Sequence, residues 1–167
     1  MTEKLVSIFI DFFGTGMSKE ILVFVVSLFP ILELRGGILA AYALGIGLLP
    51  AFAISYVGNI LPIPFILVLI DKVFAIMRKT PLKSIPTFFE NKALNKKETI
   101  EKYGYWGLLI FVGIPLPGTG AWTGALLAVL LNMDKKKAFV FIMGGVLMAG
   151  IIMSIFSFGL LNLLGIG

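Results

Sequence analysis

Pro30-Ile31-Leu32-Glu33-Leu34-Arg35-Gly36-Gly37 and Gly113-Ile114-Pro115-Leu116-Pro117-Gly118-Thr119-Gly120-Ala121-Trp122 are the stretches that decide how this chain folds. Each interrupts an apolar region near its middle: Ser18 to Leu49 around Pro30, and Tyr103 to Met133 around Pro115 and Pro117. Proline lacks an N–H and displaces the helical partner of the carbonyl four residues earlier, so the carbonyls of Val26, Phe111 and Gly113 are expected to lose their usual bonds. Ser18 to Phe29 gives only about 18 Å of helix, somewhat past the midplane of a hydrocarbon core about 30 Å thick. In lipid such a break is tolerated only where protein or a water-filled cavity shelters it. Both regions therefore read as re-entrant hairpins or discontinuous helices.

The composition requires lipid as the solvent. Hydrophobic residues make up 59% of the 167 positions and charged residues 14%, with a mean hydropathy of +1.04. A soluble domain carries about a quarter charged residues, and a single core of this size could not hide so much apolar surface from water. The expected fold is an all-α integral membrane domain. There is no cysteine and no histidine, which removes thiolates, disulfides, imidazole metal ligands and imidazole proton relays together. No metal or organic cofactor is expected, and an enzyme is disfavoured. A net charge of +5 would suggest nucleic acid in a soluble protein, but the placement of the basic residues points to a membrane face.

Two segments are long enough to cross as unbroken helices, Pro50 to Ile70 and about Lys137 to Leu164. The two halves match in pattern at an offset of 85 residues: Pro30 with Pro115, Gly36 with Ala121, Ala40 with Ala125, Ala43 with Ala128. Each half reads as a proline-broken hairpin plus one crossing, an odd number of passes, so the repeats should be inverted relative to each other. The organisation expected is an interfacial helix at 1–17, a first repeat at 18–70, a basic connector at 71–102 and a second repeat at 103–164. Over 1–17, Lys4, Ser7 and Asp11 fall opposite Leu5, Ile8, Phe9 and Phe12, the spacing of a helix lying in the interface; a frayed terminus fits equally. Asp11 interrupts the apolar run, which argues against a cleaved signal.

Charge fixes the orientation. Arg78, Lys79, Lys83, Lys92, Lys96, Lys97 and Lys102 lie between the repeats, and Lys135, Lys136 and Lys137 join them if the second broken segment turns back. By the positive-inside rule this face is cytoplasmic and both termini are outside, in the cytoplasmic (inner) membrane. Lysines so placed also attract anionic lipid. Asp71, Lys72 and Arg78 read as interfacial anchors.

Glu33 and Arg35 follow the first break. Near the bilayer centre an ionised side chain costs at least about 2.5–3.5 kcal/mol, so the pair is expected either to face a cavity, with Glu33 carrying a coupling proton and Arg35 holding an anionic group, or to lock the hairpin as an ion pair. In the second motif Pro115 and Pro117 end the leading helix, Gly118 and Gly120 allow close backbone approach, and Thr119 is placed to N-cap the return helix ahead of Trp122. That helix start suits an anion; a turn built only for geometry suits the residues as well. Small residues at Gly120, Gly124 and Ala128, and at Gly36, Ala40 and Ala43, are expected to pack the hairpins on each other, a substrate groove being the lesser alternative. Asn59, with Pro62 and Pro64, marks a polar, kinkable point in the first span, and Gly145-x-x-x-Ala149 could serve a dimer.

On these motifs, from about residue 20 to 160, the sequence resembles the putative small multidrug export protein family of bacteria and archaea. That family is distantly similar to the DedA superfamily of re-entrant-loop membrane proteins, implicated in moving lipid phosphates. Pro115-x-Pro117-Gly118 and Pro30-x-x-Glu33-x-Arg35 are similar to two DedA loops, in the opposite chain order and with one arginine. The resemblance implies a transporter of an amphiphilic substrate, drug-like or a lipid phosphate. The site would lie where the hairpin tips meet, at Pro30, Glu33, Arg35, Asn59, Pro115, Pro117, Gly118, Thr119, Gly120 and Trp122. Because two full spans shelter two broken segments poorly, a homo-oligomer, most simply a dimer, is expected. The other function open at this point is a membrane assembly protein that binds a partner and moves nothing.

Overall fold

The computed structural model describes residues 18–80, 84, 86–87, 91 and 97–160. The interfacial helix expected at 1–17, parts of the basic connector and the end of the second span lie outside them. The described residues are helical, with no strand among them. They divide into two compact units: Met1–Leu61 with Val146–Gly167, and Pro62–Gly145.

In the first unit, α1 runs Lys19–Leu28. Ser18 starts it from an extended backbone, its Oγ accepting the Ile21 N–H at 3.4 Å, and Glu20 sits in the first turn at the positive end of the helix dipole. Pro30 stops it by holding Phe29 extended (φ −75°, ψ 135°). The Phe29 N–H then donates to the Val26 carbonyl at 3.3 Å. The carbonyl expected to be orphaned at Val26 is thus satisfied by a tighter 3₁₀-type bond.

After four residues α2 begins, Glu33–Ala43. Its end is a Schellman closure on Gly45 (φ 72°), with Gly45 N–H to Tyr42 O at 3.0 Å and Ile46 N–H to Ala41 O at 2.9 Å. Lys19 Nζ donates to the Leu44 carbonyl at 2.8 Å, so the start of α1 and the end of α2 share one end and the chain has doubled back. Next comes α3, Leu48–Ile60, packed on both. Leu22, Val23, Val26, Leu32, Ala40, Ala41 and Ala51 form the core.

The second unit holds α4 (Ile63–Met77), α5 (Lys97–Gly113), α6 (Ala121–Leu130) and the start of α7 (Lys135–Ser154). Gly104 (φ 58°, ψ −134°) breaks the helical path of α5, so the segment leading to the second turn starts at Tyr105. Tyr105 Oη accepts the Asp134 N–H at 3.0 Å, and here too the chain has returned to its starting end. The closure after α6 repeats the first bond for bond: Asn132 (φ 51°) N–H to Val129 O at 3.0 Å, Met133 N–H to Ala128 O at 2.9 Å. Asp134 Oδ1 then caps α7 by accepting the Lys137 N–H at 2.8 Å.

These bonds correct the fixed offset of 85. It holds for the ends of the leading helices, Leu28 and Gly113. The return helices start with matching bonds at an offset of 88, Gly36 N–H to Leu32 O and Gly124 N–H to Gly120 O, both 2.8 Å. The closures and the starts of α3 and α7 are 87 apart. Gly36 therefore corresponds to Gly124 and Ala41 to Ala128, because the second turn is longer by three residues and its return helix shorter by one.

Two helical stretches are long and apolar enough to cross a membrane, Leu48–Ile70 (23 residues, interrupted at Leu61-Pro62) and Lys135–Gly159 (25 residues, ending in a π-helical segment from Ile155). Both unit boundaries fall inside them. Each stretch begins in the unit of the hairpin before it and ends in the other: α4 packs on α6, and the π-helical segment packs on α2.

Candidate functional site

Between apolar helices in lipid, association rests on close contact rather than on expelling water, so the smallest residues set where polar groups can gather. In the first unit that place is around Gly37. A Cβ there would collide with Ser27 Oγ and lie 2.7 Å from Ser55 Oγ. Gly58 brings α3 equally close to α1, with Phe24 O at 2.9 Å and Ser27 Cβ at 3.0 Å from a Cβ at that position. Ser27 thus sits at a junction of three helices with glycine on two sides.

Its hydroxyl does what a buried helical serine usually does, donating to the Val23 carbonyl one turn back at 2.7 Å. Ser55 does not: its Oγ is buried without a hydrogen-bond partner, as is Asn59 Oδ1 one turn further along the same face of α3. Among the described residues, Ser154 and Ser157 near the end of the second span also bury unpartnered hydroxyls.

Glu33 is on the same face of α2 as Gly37, one turn earlier. It is buried, at 5% exposure, and its backbone is left-handed, φ 52°. For a residue with a β-carbon this conformation costs on the order of 1–2 kcal/mol. The turn imposes it. Phe29 O accepts both the Leu32 N–H (3.2 Å) and the Glu33 N–H (2.8 Å), and only a reversal at Glu33 lets α2 start directly after them. The charges of Glu33 and half-buried Arg35 attract each other. Pro30, with exposed Phe29 and Ile31, forms the outer surface of the turn.

The second turn solves the same problem with glycine. Gly118 (φ 83°) and Gly120 (φ 132°) take the unusual dihedrals, where any other residue would be strained. Thr119 does not N-cap α6, as the sequence suggested. Gly120 is the cap residue and lends no side chain, while Thr119 Oγ1 points back to the carbonyls of Ile114 (2.9 Å) and Leu116 (2.8 Å). Two prolines leave this turn short of N–H donors, so its carbonyls recruit the hydroxyl. Pro117 and Leu116 are exposed, Pro115, Gly118 and Trp122 half-buried.

Two expectations about small residues are also corrected. Gly36 faces Val26 and Leu32, and Gly124 faces Val112 (2.5 Å) and Leu108 (3.4 Å), so these glycines let each return helix approach its own leading helix. Gly145 is occupied by the Leu109 carbonyl and Val112 at 2.7 Å, and Ala149 is buried, which leaves that motif no free face for a dimer. The junction at Ser27, Gly37 and Ser55 was missed because a serine in an apolar helix carries no sign of where its hydroxyl points. The i, i+4 spacing of Ser55 and Asn59, read with Gly58, was the available signal.

Pro30, Glu33, Arg35 and Asn59 belong to the first unit, and Pro115 to Trp122 to the second. The chain matches the family described as putative small multi-drug export protein over residues 33–152, from Glu33 to within the last helix. It belongs to that family. The family is named for export rather than for a reaction, which is consistent with a transporter role. No curated protein and no solved structure matches the chain. Among the described residues there is no group of three or more acidic, cysteine or histidine side chains that could hold a metal ion.

Proposed function

We propose that this family member is a transporter of the cytoplasmic membrane that moves an amphiphilic substrate, drug-like or a lipid phosphate, past two hairpins that re-enter the bilayer. The observation that carries the reading is the character of the two turns. A solvated turn is built from polar residues, but here the exposed residues are Phe29, Pro30 and Ile31 in one and Ile114, Leu116 and Pro117 in the other. Oily turns on helices of 10 and 11 residues, about 15–17 Å long, suit a tip inside the hydrocarbon rather than in water.

Orientation follows from the bases of the hairpins. Trp106 and Tyr103 are exposed beside Lys102, and Phe141, which packs on Trp106 and Tyr105, is followed back along α7 by exposed Lys137, Lys136 and Lys135. Aromatic side chains with lysines mark a cytoplasmic interface. The base of the first hairpin, and with it both termini, is then outside, and the repeats are inverted. Arg35 receives an anionic head group and Glu33 carries the coupling proton; the strained backbone of Glu33 favours a working role over a passive one. The protein acts as a homo-oligomer, which native mass analysis in lipid would show as a dimer or larger.

The test is flux in reconstituted vesicles, with a lipophilic dye or a labelled lipid phosphate, for wild type, Glu33→Gln and Arg35→Ala. Loss of saturable flux in both variants, with folding intact, supports the site, and full transport by both removes these residues from it. The attraction between Glu33 and Arg35 favours a second reading, a non-transporting assembly protein whose pair only locks the hairpin. It requires no saturable flux from wild type and loss of folding or of a partner complex in the variants.

A further inference from the structure

We infer that the first unit holds a binding site for a small monovalent cation of the sodium class, formed by Ser27 Oγ, Ser55 Oγ and Asn59 Oδ1 around the missing side chain of Gly37.

Ser55 and Asn59 are 0% and 2% exposed, and Ser55 Oγ and Asn59 Oδ1 have no hydrogen-bond partner. Leaving a buried polar atom unmet is costly, so two on consecutive turns of one helix need an account. Ser55 could have been satisfied by the carbonyl of Ala51, as Ser27 is by that of Val23. Instead its oxygen is turned to Gly37, at the point Ser27 Oγ also reaches. Ser27 gives its only hydrogen to Val23 and so offers lone pairs alone.

Backbone carbonyls around Asn59 are short of their helical N–H partners. Pro62 and Pro64 provide no N–H for the carbonyls of Gly58 and Ile60, on either side of Asn59. A water molecule needs acceptors and donors in balance, whereas a cation needs oxygens only. Hard neutral oxygens select a hard cation over a transition metal. Glu33, one turn before Gly37 on α2, is already attracted to Arg35, so its charge does not offset the cost of burying a doubly charged ion. In membrane transporters, unwound backbone carbonyls beside a broken helix coordinate coupling sodium ions. The inference goes beyond transport, because the site can be filled whether or not substrate moves.

The experiment is equilibrium binding of radioactive sodium to full-length protein in lipid nanodiscs against a choline background, with melting temperatures in sodium, potassium and choline. Saturable binding by wild type and a melting temperature higher in sodium than in choline are expected. Ser55→Ala should bind sodium about tenfold more weakly or worse, since loss even of an outer-shell partner costs 10–100-fold in metal affinity. In choline it should melt at or above the wild-type temperature, because it removes an unmet hydroxyl; a merely structural serine would lower it. Absence of saturable binding by wild type, with identical melting in all three salts, would show that these oxygens hold water only and overturn the inference. Undiminished binding by Ser55→Ala and Asn59→Leu, both folded, would overturn the assignment of the ligands. Both readouts are independent of flux, so the transport reading stands or falls apart from them.

Discussion

The first hairpin reverses in four residues and the second in seven, and that difference decides where backbone strain is stored. The longer turn spreads the reversal over Gly118 and Gly120, which adopt positive φ without penalty, and uses Thr119 as a donor for its own carbonyls. The shorter turn has no glycine until Gly36, so the left-handed position falls on Glu33. The same topology is reached in one case by a relaxed turn of neutral residues and in the other by a strained turn that buries the charge-bearing one. A residue kept in a conformation that glycine would adopt more cheaply points to its side chain as the reason it is there.

The contrast can be broken or sharpened by substitution, beginning where the expected effect is largest. Gly37→Ala should destabilise the protein by about 2–3 kcal/mol in reversible unfolding, because the new methyl group collides with Ser27 Oγ and crowds Ser55 Oγ. In the other return helix, Gly124→Ala, at the position that corresponds to Gly36, meets a Val112 methyl group at 2.5 Å and should cost about 1–2 kcal/mol; a larger loss there would mean that the second hairpin is the more tightly built. At the turns, Thr119→Val should lose about 1 kcal/mol, recovered by Thr119→Ser, as expected for a hydroxyl donating to turn carbonyls.

Glu33→Gly and Glu33→Gln form a matched pair. Both remove the carboxylate, but only glycine relieves the left-handed backbone, so the glycine variant should be the more stable by about 1 kcal/mol. Equal stability would show that the turn is not strained. The smallest effect is expected at the closures, where Asn132→Gly should stabilise by a few tenths of a kcal/mol, since asparagine already tolerates φ 51°.

Much of the fold was legible because proline is unambiguous about where a helix stops. Pro30, Pro115 and Pro117 mark the ends of α1 and α5, Pro62 and Pro64 mark the interruption of the first long apolar stretch, and hydropathy marks both stretches long enough to cross a membrane. Proline says nothing about where the next helix starts, so the unequal turns and the drift from 85 to 88 and 87 were hidden, and Gly36 was aligned with Ala121 in place of Gly124. The burial of Glu33 and the polarity of Asn59 were readable from their cost in an apolar setting. The φ of Glu33, the direction of the Thr119 hydroxyl and the meeting of Ser27 with Ser55 depend on tertiary contacts, which local sequence does not carry.

The account rests on each hairpin entering and leaving the membrane on one side, and the cysteine-free chain allows this to be measured directly. Single cysteines at the exposed positions Ser18, Leu49, Lys102 and Lys136 would be labelled in sealed vesicles of known orientation with a membrane-impermeant thiol reagent. Ser18→Cys and Leu49→Cys should react from the outside, and Lys102→Cys and Lys136→Cys from the cytoplasmic side. Labelling of positions 18 and 49 from opposite sides would mean that the first broken segment crosses the bilayer, and would contradict the account.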